Sequence, residues 1–224
     1  MERNKILFFC AVVVPFLMFS CKTTTEAVNN QEEVEARAEI IDWQGAEFGD
    51  SVPQWVRSVA ARDYQAVSSL PEMNGKVAMT FSGEGQDRDL LKLWVDTNDA
   101  SGQIVRQIKQ TVTNTAGAMA SGDKDNSESV QKMAESVTGI WSQTTVSGFA
   151  KVRDFWTKVK LGDGSTEYRY YVLYGIDKEN LEYQIDAAMG KVRAESEAEE
   201  EALNKIEEAI KESAFAATGS VERI

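Results

Sequence analysis

Histidine is absent from all 224 residues, and the only two cysteines, Cys10 and Cys21, stand in the first tenth of the chain. Each absence excludes a class of chemistry. Without histidine, the commonest general base and the commonest transition-metal ligand are missing. With no cysteine beyond residue 21, the body of the chain has neither a disulfide nor a thiol nucleophile. Basic side chains are outnumbered, 24 Lys and Arg against 36 Asp and Glu, which leaves a formal net charge of −12. Such a surface repels a phosphate backbone and argues against nucleic acid as a partner. The inventory predicts no cofactor, no metal and no enzymatic activity.

What is present points to a folded body. Hydrophobic residues make up 42% and aromatics 9% of the chain, too much apolar surface for a disordered protein. The length suits one domain with a tail.

The first segment reads as an address. Arg3 and Lys5 precede "ILFFCAVVVPFLMF" (6–19), an uncharged apolar run of signal-peptide length and too short to span a bilayer comfortably. Small Ser20 stands just before Cys21 and Leu17 three residues before Ser20, so "LMFS" reads as a relaxed lipobox. Residues 1–20 are expected to be a lipoprotein signal peptide cut after Ser20, leaving Cys21 to receive a diacylglyceryl group and further acylation. Each buried methylene adds roughly 0.8 kcal/mol, and two or more chains anchor stably where one does not. Lys22, not an aspartate, follows the cysteine, which favours the outer membrane.

"KTTTEAVNNQEEVEARAE" (22–39) is polar and acidic, so 21–39 is expected to be a flexible tether. Large apolar residues return with Ile40, Ile41, Trp43, Phe48 and Trp55, marking the start of a domain over 40–194. Pro53 suits the first turn of a helix with Val52, Val56, Val59 and Ala60 as its apolar face. "GKVAMTFSGEG" (75–85) alternates as a strand. The periodicity of Leu90, Leu91, Trp94, Ile104, Val105, Ile108 and Val112 predicts a helix over about 87–120, with a break near Gly102. Val130, Met133, Ala134, Val137, Ile140 and Trp141 predict a second helix, with Ser127 as its cap. Two β-rich runs, about 143–160 and 167–177, flank "GDGST" (162–166) and predict a long hairpin. Tyr168, Tyr170, Val172, Tyr174 and Ile176 share one face of it; Arg169, Tyr171, Leu173 and Asp177 share the other.

From Lys178 to about Ala217 the chain has no proline and a single glycine, Gly190. A continuous helix there would be about 60 Å long, more than such a domain is wide. Its second half, 195–224, is therefore expected to be an acidic helical extension that projects or folds back. The predicted class is α+β: a small, mainly antiparallel sheet with helices on one face and a long C-terminal helix.

Several motifs reduce to structure. Gly83 and Gly85 in "SGEGQDR" have the setting of a dinucleotide loop, but Arg88 holds the third glycine position and no βαβ repeat follows, which leaves a strand-to-helix turn. "DTND" (96–99) and "SGDKDNSE" (121–128) lack the spacing and terminal glutamate of a calcium loop. "ESEAEEE" (195–201) reads as a solvated helix face supported by Glu201–Lys205 and Glu207–Lys211 pairs. The remaining candidates are interaction surfaces: the hairpin aromatics Trp156, Tyr168, Tyr170, Tyr171 and Tyr174, and the stripe Leu203, Ile206 and Ile210, which could pair with a second copy or a partner helix.

The order of a lipobox cysteine, a polar tether, "VPQWV", a strand ending in "SGEG", a long helix and the hairpin "VRDFWTKVKLGDGSTEYRYYVLYGID" resembles the Lpp-twenty family of bacterial surface lipoproteins. Trp156, Gly164, Tyr171 and Leu173 hold the places of that family's Trp, Gly, Tyr-x-Leu hairpin, and the likeness covers roughly 50–190. The resemblance implies an envelope lipoprotein without enzymatic activity. The expectation is a chain anchored through Cys21 to the outer membrane, facing the periplasm, that acts by contact with another envelope protein or by homo-oligomerisation. The alternatives are a ligand or lipid carrier with an apolar cleft between sheet and helices, an activator of a cell-wall synthase, and an enzyme working with carboxylates alone.

Overall fold

The computed structural model describes residues 38–122 and 124–224. The signal peptide, Cys21 and nearly all of the tether lie outside the described residues. The chain folds as α+β, around a five-stranded sheet of order β1-β3-β4-β2-β5. The strands are β1 (Glu39–Trp43), β2 (Lys76–Gly85), β3 (Ala150–Lys160), β4 (Thr166–Asp177) and β5 (Thr218–Arg223). The helices are α1 (Gln54–Ala60), α2 (Tyr64–Ser68), α3 (Arg88–Asp96), α4 (Ala100–Gly122), α5 (Ser127–Gln143), α6 (Lys178–Met189) and α7 (Glu197–Phe215).

The hairpin forms where its turn chemistry places it. Gly164 adopts φ 86°, and the Asp163 carboxylate accepts from both Ser165 N (2.9 Å) and Ser165 Oγ (2.7 Å). β3 and β4 then pair antiparallel from Lys160–Thr166 to Ala150–Gly175, with a bulge between Lys151 and Arg153. β4 carries β2 antiparallel on its other side, and β2 carries β5 in parallel.

The period-two alternation sends side chains to two cores. Val77, Met79 and Phe81 of β2, with Tyr170, Val172 and Ile176 of β4, face the larger one. α3 and α6 lie on this face, and α4, α5 and α7 pack on one another beyond them. Ala78, Phe155, Tyr171 and Leu173 face the opposite side, where α1, α2 and the short turn Pro71–Met73 cover them through Trp55, Val56, Val59, Val67 and Met73. Helices therefore cover both faces, not one, because both parities of the central strands are apolar. Of the apolar cluster expected to open the domain, Trp55 is buried and Trp43 half-buried, while Ile40, Ile41 and Phe48 are exposed.

Two long helices expected from periodicity are each broken by their caps. The 87–120 helix stops at Asp96 and restarts at Ala100, so "TND" (97–99) forms the break a few residues before Gly102. Asp87 caps α3 by accepting from Asp89 N and Leu90 N. Asn126, not Ser127, is the cap position of α5. Beneath α3, Gly83 stays inside β2, since a Cβ there would meet Leu91 and Trp94 at 3.0–3.1 Å.

The C-terminal helix is likewise two helices. α6 ends at Gly190, and "SEAE" (196–199) opens α7 as a capping box: Ser196 Oγ accepts from Glu199 N, and the Glu199 carboxylate accepts from Glu195 N at 2.7 Å. The same carboxylate reaches Lys132 of α5 (2.8 Å), which also binds Glu195 (2.7 Å). The Lys132 ammonium and the Glu195 amide hold the Glu199 carboxyl below the ordinary glutamate range. The expected Glu201–Lys205 and Glu207–Lys211 pairs form at 2.6 and 2.8 Å. α7 turns back against α4 and α5, and the chain then adds β5 beside β2. Residues 195–224 are thus part of the domain and not an extension, because their apolar stripe is needed to close the larger core.

Candidate functional site

Three sets of residues bear on function, and the first two are those expected from sequence. Trp156, Tyr168, Tyr170 and Tyr174 do come together, but under α3 instead of on an open face. Tyr170 is buried and the other three are half-buried against the larger core. Trp156 and Tyr168 meet edge to face at 6.0 Å, as do Tyr174 and Phe81 at 5.8 Å. The Arg88 guanidinium lies 5.2 Å over Trp156, and the Lys158 ammonium 5.2 Å over Tyr168. The Tyr170 hydroxyl donates to Asp154 Oδ2 at 2.9 Å. Burial, then the Asp154 carboxylate, push its phenol above the ordinary tyrosine range. Lys151 binds Asp96 at 2.8 Å and Lys92 binds it at 2.6 Å, which lowers the Asp96 carboxyl below its usual value. This is a ring of packing and ion pairs that seats α3 on the sheet, so the aromatics serve as core. Tyr171 lies on the opposite face, buried with Phe155 and Leu173.

The second expected set is not a docking stripe either. Ile206 and Ile210 are 0% exposed and Leu203 is half-buried, all against the larger core. A second copy cannot reach them without unfolding α7 from α4 and α5. Cys21 lies outside the described residues.

The third set was not singled out from sequence. An open groove of about 620 Å³ runs between α4 and α5. Small or apolar side chains line it: Ala116, Gly117 and Ala120 from α4, Val130, Ala134 and Gly139 from α5. Gly117 and Gly139 stand inside helices, where glycine costs roughly 0.5–1 kcal/mol relative to alanine. Neither is required by its own fold, since a Cβ at either position would meet nothing within 4 Å. The rim along α5 is acidic. Glu135 lines the groove and Glu128 is exposed near its end, while the lone cation of α5, Lys132, is engaged by Glu195 and Glu199 on the α7 side. The signal was present as small residues at three- and four-residue steps, Thr113-Ala116-Ala120 on α4 and Ala134-Thr138 on α5. It was hidden because small side chains carry little weight in a hydrophobic pattern.

Among the described residues no helix is long and apolar enough to cross a membrane, and no group of three or more His, Cys, Asp or Glu is placed to hold a metal ion. No family model matches the chain, and neither the curated proteins nor the solved structures include a similar one.

Proposed function

We propose that the chain is a lipoprotein of the bacterial cell envelope, anchored through Cys21 to the outer membrane and facing the periplasm. In this reading it works without catalysis, by holding a helix of another envelope protein in the α4–α5 groove. The observation that carries it is the pair of helix-interior glycines, Gly117 and Gly139, facing open space in an apolar groove. Small residues let a third helix approach two others at backbone distance, so an amphipathic helix fits by its apolar face. The acidic rim and the net charge of −12 select a partner helix with basic flanks and steer it in. The same like charge works against a second copy as the occupant. The resemblance to Lpp-twenty lipoproteins agrees with an anchored, non-enzymatic role.

The test is a photo-crosslinking residue at Gln131 in living cells. One heterologous product of defined mass is expected. Gly139→Phe, whose Cβ would meet nothing within 4 Å and whose ring would occupy the groove, should abolish it while keeping the circular dichroism of the parent and a melting midpoint no lower than the parent's. A product at twice the chain mass would replace the partner helix by self-association, and a product that survives Gly139→Phe would remove the groove from the mechanism. The anchor is checked separately: Cys21→Ser should lose palmitate labelling. A lipid-carrier reading draws on the same apolar lining. A co-purifying lipid in native mass spectra of detergent-free protein, displaced by Gly139→Phe, would favour it over the partner helix.

A further inference from the structure

The smaller core ends in a second, polar pocket of about 330 Å³, between the end of α1 and the β4–β2–β5 side of the sheet. We propose that this pocket binds a small molecule through a single carboxylate group, with Arg62 as its principal ligand. Two observations converge there.

The first is charge. Arg169 lies on the pocket floor, closed by Glu167 at 3.1 Å and Glu84 at 3.4 Å, and Glu84 takes a second cation, Arg223, at 3.1 Å. Arg62 lines the same pocket and makes no ion pair with any described residue. An unengaged guanidinium beside satisfied pairs is a position for an incoming anion, and its planar fork matches a carboxylate with two parallel hydrogen bonds.

The second is backbone conformation. Arg62 is the one non-glycine residue with positive φ among the described residues, at 57°. It occupies the turn that ends α1: Arg62 N donates to Val59 O at 2.9 Å, and Asp63 N to Ser58 O at 2.8 Å. That pair of bonds is the Schellman motif, whose left-handed position takes glycine at no steric cost. An arginine there gives up stability and gains a guanidinium at the pocket mouth, which is the pattern of a functional residue held in an unfavourable conformation.

Tyr171, buried on the sheet, also lines the pocket. The C-terminal strand completes the wall with Val221 and is held close by Gly219, where a Cβ would collide with Thr80 Oγ1 and the Tyr64 ring.

A monocarboxylate suits the site better than a phosphate. Glu84 on the floor repels a second negative charge, and only one cation is left open. The experiment is calorimetric titration of the full chain in detergent with N-acetylglycine, acetate and inorganic phosphate at matched ionic strength. Saturable one-to-one binding of N-acetylglycine is expected, with phosphate at least about tenfold weaker. Arg62→Ala should weaken it at least about tenfold, and Arg62→Lys, which keeps the charge but not the fork, by less. Arg62→Gly should raise the melting midpoint while losing the binding, a combination that a merely structural arginine would not give. The proposal is overturned if neither carboxylate binds saturably, if Arg62→Gly binds like the parent chain, or if phosphate binds as tightly.

Discussion

Under α3 and α6 the sheet presents Val77, Met79, Phe81, Val172 and Ile176 to a core that continues through α4, α5 and α7. On its other face Ala78, Tyr171 and Leu173 meet only α1, α2 and one short turn, and the same strands pass within a few residues to Ser82, Glu84, Glu167 and Arg169. The contrast follows from cover. Five helices can bury a whole strand face, whereas two short ones leave the far end of theirs open to water. The charges at that end stand in pairs, where an apolar surplus would have no lid. The filled face supplies stability and the part-covered one supplies a polar pocket.

Substitutions can be ranked by how strongly they should separate the two. Phe81→Ala removes a ring from the centre of the larger core and should cost about 3–5 kcal/mol in urea denaturation, against about 2 kcal/mol for Met73→Ala on the thinly covered side, which is freer to collapse. Equal losses would mean that the two cores are equally rigid. Ser196→Ala removes the cap of α7 and should cost about 1 kcal/mol, because α7 closes the larger core.

Acid should act through that same cap. The folded Glu199 carboxyl is lowered by Lys132 and the Glu195 amide, so its contribution is complete above the ordinary glutamate range and is lost as pH falls through the lowered folded value. A Tm-against-pH profile of Glu199→Gln should therefore lie below the parent at neutral pH and converge with it in acid. A constant offset would show that the charge is not what matters. The smallest effects are expected to be gains: Arg62→Gly on the polar side, and Gly117→Ala or Gly139→Ala in the groove, should each stabilise by roughly 0.5–1 kcal/mol. Losses at the two glycines would show that their space is not open.

Much of the fold was legible because it is local. Alternation placed β2 and both faces of the hairpin, and Gly164 with Asp163 fixed its turn. Helical spacing found Leu91 of α3, the buried Ile104, Ile108 and Val112 of α4, the buried residues of α5 and the i,i+4 pairs of α7, but it also took in Leu90, which is 52% exposed, and passed over Val95, which is 0% exposed. The S-x-x-E box at 196–199 and Gly190 were also in the sequence, and together they divide the C-terminal helix that periodicity alone runs together. The candidate site was less legible. The hairpin aromatics and the Ile206–Ile210 stripe stand out in sequence because they are large and apolar, the very property that buries them, while the groove is made of residues too small to register.

By itself the sequence determined the α+β class, the hairpin, the excess of negative charge, and a chain whose body lacks histidine and cysteine. Tertiary structure alone decided that "TGSVER" is a strand, since its parallel partner β2 is more than a hundred residues away and a single apolar residue, Val221, among five small or polar ones makes no alternation. It also decided that α7 folds back, that α3 roofs the aromatics, and that Arg62 meets Arg169 and Glu84 at one pocket. Each of these is a long-range pairing, chosen by what surface is left to cover after the local elements have formed.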